Sequence, residues 1–166
     1  MADKQQLLES IKKAMQAEKD SVTLYENAAN HAREEEVKKF FNERREEERR
    51  HFNYLLKYYQ EISGDLQPSD LDPGFKPSQE ETIFSDDFIR RIGEDQFLFS
   101  AISTALLLEK ESFEHYRKCA QQTDNATLKS FFSILEKWEK DHYDELLRIQ
   151  KNSERYYWEA NRFEPF

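Results

Sequence analysis

Along residues 3–31 the apolar or small positions Leu7, Ile11, Ala14, Ser21, Tyr25 and Ala28 recur three or four apart, the spacing that lines one face of an α-helix. Glu18 stands in the middle of that stripe. A second run, roughly 34–62, carries Val37, Phe41, Leu55 and Ile62 and is interrupted by Glu48 and His51. A third, roughly 86–121, carries Leu98, Ile102, Ala105, Ser112, Tyr116 and Cys119 around a central Glu109. The fourth, roughly 125–152, runs through Leu128, Phe132, Leu135, Leu146 and Ile149 and is interrupted by Glu139 and His142. The pattern predicts four long helices, each with ligand-type side chains on the face that packing should bury.

The third and fourth runs repeat the first and second at a fixed offset of 91 positions. Between residues 7 and 56 the identities are Leu7, Ile11, Ala14, Glu18, Lys19, Ser21, Tyr25, Ala29, Lys38, Phe40, Phe41, Glu48, His51, Leu55 and Leu56. Glu18, Tyr25, Glu48 and His51 therefore return as Glu109, Tyr116, Glu139 and His142, so the two halves are read as structural copies.

Gly64, Pro68, Pro73, Gly74 and Pro77 crowd into one stretch, which marks residues 63–85 as an irregular crossover. Ser78 to Glu81 reads as a possible capping box, and Ser85-Asp86-Asp87 as a helix start. A long loop inside a compact domain needs a reason. Two helical hairpins, 3–62 and 86–152, supply it: if the second and third helices run parallel, their link must travel the full bundle length. The joints around His31–Glu34 and Gln121–Asn125 are short, as antiparallel hairpins require. The expected architecture is a single all-α domain, a four-helix bundle of two duplicated hairpins with an aromatic C-terminal tail over 153–166. That tail runs from Tyr156, Tyr157 and Trp158 to Phe163, Pro165 and Phe166, and is expected to pack on the bundle or on a second subunit.

Composition agrees with long helices: 37% hydrophobic, 36% charged, three Gly and four Pro in 166 residues. A formal charge of -9 argues against a nucleic-acid partner, which needs a clustered basic surface. Cys119 is the single cysteine, so this chain alone builds no internal disulfide and no Cys-ligated iron centre. No run of 18 apolar residues and no signal-like N-terminus is present, so a soluble cytoplasmic protein without a membrane span is expected.

At about 100° per residue, Glu48 and His51 share one helix face, and Glu18 and Tyr25 point the same way two turns apart. The stripes thus aim Glu18, Glu48, His51, Glu109, Glu139 and His142 at the bundle axis. Buried carboxylates without partners repel one another and lose hydration at several kcal/mol per ion, which a domain of this size cannot bear. Two divalent cations cancel four carboxylate charges, and Glu with His suits iron or manganese. Tyr25 and Tyr116 are expected to donate hydrogen bonds that orient ligand carboxylates, although a buried tyrosine is also simply a large core residue. His31 and His115 fall off the stripe and read as peripheral. Glu46, Glu47, Glu111 and Glu114 read as solvated, and Cys119 as a buried hydrophobe; Arg44, on the inward stripe where the copy has Leu135, reads first as a side chain snorkelling to the bundle end and second as a charge near the metal site.

These residues resemble the ferritin-like di-iron carboxylate superfamily, in which two helices each give a Glu and two each give Glu-x-x-His. The resemblance covers roughly residues 5–152 and is nearest to the rubrerythrin branch. It implies a non-haem di-iron centre, two iron ions per chain, that reduces hydrogen peroxide or dioxygen in an oxidative-stress setting, in a dimer. Rubrerythrins also carry a rubredoxin domain with paired CxxC iron ligands. With one cysteine here, electrons are expected from an external carrier such as a rubredoxin-type protein. Ser112 and His142 stand where rubrerythrins usually have Glu. The two-His set is similar to a bacterioferritin ferroxidase centre, but Arg49 replaces its haem-ligating Met, so no haem is expected. The expected function is therefore a di-iron oxidoreductase in a homodimer, with helices exchanged between subunits as one variant of it. The alternatives are an iron-handling ferroxidase, a metal-stabilised bundle without turnover, and a hydroxylase.

Overall fold

The computed structural model describes residues 3–161. Five helices account for most of them: α1 (Lys4–His31), α2 (Glu35–Ser63), α3 (Asp86–Glu94), α4 (Gln96–Gln122) and α5 (Ala126–Asn161), with no strand among the described residues. α1 packs on α2 and α4 on α5 as antiparallel hairpins, and α1 against α4 joins the hairpins into the all-α ferritin-like bundle that the periodicity predicts. Capping follows the sequence. The Asp3 carboxylate accepts from the N–H of Gln6 at 2.7 Å, Ser85 Oγ from Phe88 at 3.0 Å, and Asn125 Oδ1 from Leu128 at 3.0 Å, each satisfying an N–H that the first turn leaves open.

The crossover is a strap laid along α2. α2 ends at Gly64, and Asp65 takes a left-handed φ of 58° while Leu66 N–H returns to the Glu61 carbonyl at 2.8 Å. The chain then doubles back. Tyr58 OH donates to Ser69 O (3.2 Å), Tyr54 OH to Asp72 (2.6 Å), Arg50 to Gly74 O (2.6 Å), and Ser85 Oγ to Glu36 (2.6 Å). The partners on α2 descend from position 58 to 36 as the strap advances from 69 to 85, so the strap delivers α3 to the end of the bundle where α2 began. Residues 78–81 form no helix: Ser78 Oγ accepts from the N–H of Glu80 in a local turn, and the helix start lies at Ser85.

Two expected boundaries move. The single helix expected over 86–121 breaks at Asp95, whose backbone is extended (φ -101°, ψ 111°). Its carboxylate caps Leu98 N–H at 3.1 Å and pairs with His31 at 2.9 Å. The break lets α3 lean on α5 at Gly93, where a Cβ would stand 2.4 Å from the Ser153 carbonyl oxygen. α5 in turn runs to Asn161, past the expected end at 152, because α3 and α4 give it a surface: Ser153 is buried and Tyr157 stacks on Phe99 at 4.3 Å. Residues 153–161 of the expected tail are thus helix, while Phe163, Pro165 and Phe166 lie outside the described residues.

Apolar packing falls into two clusters at opposite ends of the bundle. One gathers Phe41, Phe88, Ile92, Ile102 and Leu146, and the other Ile11, Leu55, Tyr116, Phe131 and Leu135. Between them lies a buried polar belt. No helix among the described residues is long and apolar enough to cross a membrane.

Candidate metal centre

The belt is built from one or two polar positions per long helix inside otherwise apolar stripes. Glu18 comes from α1, Glu48 and His51 from α2, Glu109 from α4, and Glu139 and His142 from α5, and none is more than 4% exposed. They fall into two overlapping groups, Glu18, Glu48, His51, Glu139 and Glu48, Glu109, Glu139, His142, within each of which one ligand atom per residue lies within 4.8 Å of the others. Glu48 and Glu139 belong to both groups. The structure brings all six predicted residues together.

Their mutual geometry is that of donors converging on a shared point. His51 Nδ1 stands 2.8 Å from Glu139 and 3.5 Å from both Glu18 and Glu48, yet it is aligned for a hydrogen bond with none of them. One oxygen each of Glu18, Glu48, Glu109 and Glu139 is likewise buried without a hydrogen bond. A fold of this size rarely leaves so many polar atoms unsatisfied in one place, and each costs about 1–3 kcal/mol. A divalent cation in each group would satisfy them, and carboxylate with imidazole suits iron. The donor set fits the metal that the resemblance implies.

Tyr25 and Tyr116 lock the arrangement across the bundle. Tyr25 OH donates to Glu109 at 2.7 Å and Tyr116 OH to Glu18 at 2.5 Å, so each hairpin's tyrosine holds the other hairpin's carboxylate. Burial, then the charge of the bound glutamate, pushes both phenols well above their ordinary range and keeps them donors.

Burial and the neighbouring carboxylates push Glu18 and Glu139 well above the usual carboxylate range. Burial would raise Glu48 too, but hydrogen bonding with Glu18 and the two imidazoles holds it well below. Burial opposes protonation of His51, but the charges of Glu18 and Glu48 bring it up to about 9. His142 is also raised: Glu109 and Glu47 outweigh burial and the charge of Arg44.

Two predicted roles need correction. Glu47 is not a solvated side chain. Its Oε2 lies 2.5 Å from His142 Nε2 and accepts from Trp138 Nε1 at 2.9 Å, and these partners with Arg44 overcome burial to hold it at about 2. Arg44 does not snorkel. Its guanidinium donates to Glu47 at 3.1 Å, pairs with Glu145, and lies 5.0 Å over the Phe40 ring. A signal for both existed: Arg44, Glu47 and Glu145 occupy the positions that hold Leu135, Trp138 and Tyr54 in the other copy, three departures from the repeat that gather at one spot. Glu46, Glu111 and Glu114 are exposed, and His31 and His115 stay peripheral, the latter 2.8 Å from the Ser10 carbonyl. Burial raises the Cys119 thiol to about 11, in keeping with an inert hydrophobe.

The strap decides which side of the centre meets solvent. Phe75 is buried against Tyr54, Phe131 and Trp138, with ring centroids 4.4, 5.3 and 5.3 Å away, and it covers the His51 side. Residues 76–82 then stand off from α2 and α5 and leave a cleft of about 750 Å³ whose lining includes Glu47, Trp138, His142 and Glu145.

No curated protein and no solved structure matches the chain. The rubrerythrin family matches residues 9–150, which include every residue of the polar belt. With four carboxylates and two imidazoles converging at the waist of a duplicated bundle, the chain belongs to the rubrerythrin family.

Proposed function

We propose that this chain is a di-iron oxidoreductase that reduces hydrogen peroxide or dioxygen with electrons from a separate carrier. The observation that carries the reading is the overlap of the two ligand groups at Glu48 and Glu139. Two iron ions bound there would supply the two electrons that, with two protons, turn peroxide into two waters.

The protein's part is positional. Glu48 and Glu139 would serve both ions, Glu18 and Glu109 one each, and His51 and His142 one each at the two ends. Tyr25 and Tyr116 keep the outer carboxylates from rotating away. Phe75 and Trp138 exclude water on the His51 side, and the cleft beside His142 gives a small oxidant its approach. We further propose a homodimer in the cytoplasm. α4 leaves Phe97 and Leu107 46% and 66% exposed, apolar area that a second copy would cover.

Anaerobic reconstitution with ferrous iron should give two ions per chain by elemental analysis, and Glu48→Ala should lose both together. The loaded protein should then consume one peroxide for each pair of ions and turn over with a rubredoxin-type donor. Metal uptake without turnover would leave a metal-stabilised bundle, and accumulation of iron far beyond two ions would make it a storage protein. Light scattering near twice the chain mass of 20.0 kDa supports the dimer, whereas a particle of a dozen or more chains favours storage.

A further inference from the structure

The two ends of the centre are not equivalent, and the difference lies in three linked departures from the repeat. Beside His142 stand Arg44, Glu47 and Glu145, while beside His51 the corresponding places hold Leu135, Trp138 and Tyr54. The first trio carries a net charge of -1 and the second none, so beyond the shared glutamates one imidazole has charged neighbours and the other apolar ones.

The imidazoles feel this directly. His142 turns Nδ1 towards Glu48 (3.1 Å) and Glu109 (3.4 Å), and Nε2 towards Glu47 at 2.5 Å. His51 also turns Nδ1 inward, but its Nε2 is buried without a hydrogen bond, and its ring stands edge-on to Trp138 at 4.5 Å. Glu47 is itself fixed, by Trp138 Nε1 at 2.9 Å and Arg44 Nη1 at 3.1 Å, so it cannot rotate away without breaking both bonds. An imidazole that ligates through one nitrogen is better oriented and more basic when its other N–H is given to a carboxylate. When His51 ligates through Nδ1, its Nε2–H is buried with only an aromatic ring to meet it, a far weaker acceptor.

Resting on the di-metal reading above, we infer that Glu47 is a positioning residue: it holds the ring proton of His142 on Nε2 and so makes the His142 position the tighter of the two metal positions. The asymmetry is inherent in residues 44, 47 and 145 and does not depend on which transition metal is bound.

Metal-free protein titrated anaerobically with Co²⁺, followed by calorimetry and by visible absorption, reads this without any turnover. The wild type should bind two ions in two distinguishable steps. His142→Ala should remove the tighter step and His51→Ala the weaker. Glu47→Gln, nearly isosteric and on a partly exposed side chain, should weaken the tighter step about 10- to 100-fold and leave the weaker one in place. Glu47→Asp should recover part of the loss, because it returns a carboxylate to the same site. A purely structural role for Glu47 would instead move both steps together, and that result overturns the inference. So does a wild type with two identical steps, or a tighter step insensitive to Glu47→Gln. If the wild type takes up no metal, the di-metal reading fails as well. Uptake of two ions with no effect of Glu47→Gln sinks this inference alone.

Discussion

Each tyrosine of the belt makes one bond whose loss can be measured without metal. Removing the hydroxyl in Tyr25→Phe takes from Glu109 the donor that now sits 2.7 Å away, and Tyr116→Phe does the same to Glu18 at 2.5 Å. Because a buried acceptor left short of a partner costs about 1–3 kcal/mol, each substitution should lower the unfolding free energy of the metal-free protein by that order, read as a lower urea midpoint. Leucine-like behaviour, with no change in midpoint, would return both tyrosines to the role of core fillers. The six ligand-type residues and these two tyrosines were legible in the sequence because burial forced them onto the apolar stripes, where a charged residue stands out against its neighbours. Glu47 was not, and Arg44 stood out on its stripe without its partners, since a stripe describes one helix at a time. Glu47 lies one residue from Glu48 on a flank that looks solvated until Trp138 and His142 of α5 are placed against it.

Among the elements, α3 is held by a close backbone approach. Its Gly93 lies against the backbone of α5, and a methyl group there would come within 2.4 Å of Ser153 O and 2.6 Å of Tyr156 Cβ. Backbone cannot retreat as a flexible side chain does, so Gly93→Ala should push α3 off α5 and destabilise the protein by about 1–3 kcal/mol, read from denaturant unfolding. A neutral substitution would mean that α3 shifts on α5 at little cost. The long helices, both hairpin joints and the crossover were readable from periodicity and from the placement of Gly and Pro. The break at Asp95 and the extension of α5 to Asn161 were not, since both come from the contact of α3 with α5. Locally, Asp95 is one more polar residue in a helical run, and nothing between 153 and 161 signals a stop.

For the molecule as a whole, the belt dictates how stability follows pH. Glu18 and Glu139 are raised, and both imidazoles are raised, His51 to about 9. Each of these groups binds a proton more tightly folded than unfolded, so its stabilisation is full below its unfolded value and lost as pH rises through its folded one. Glu47 and Glu48 act in the opposite sense, but Glu47 titrates at about 2, and both shifts are downward, away from neutrality. The metal-free protein should therefore lose stability as pH climbs from 6.5 towards about 9, seen as a falling urea midpoint. Bound metal displaces those protons and should flatten or reverse the slope. A rising midpoint in the metal-free protein would contradict this protonation pattern. The placement of the belt between two apolar clusters has a further effect, on cooperativity. Each cluster is a core in its own right, and the layer joining them holds unsatisfied polar atoms in place of packed carbon. Without metal the two ends should open by separate sub-global fluctuations, with distinct free energies in native-state hydrogen exchange. Two cations at the waist, each held from three of the long helices and together from all four, would tie the ends together, so amides near Phe41 and amides near Phe131, far from each other, should slow in concert when metal is added.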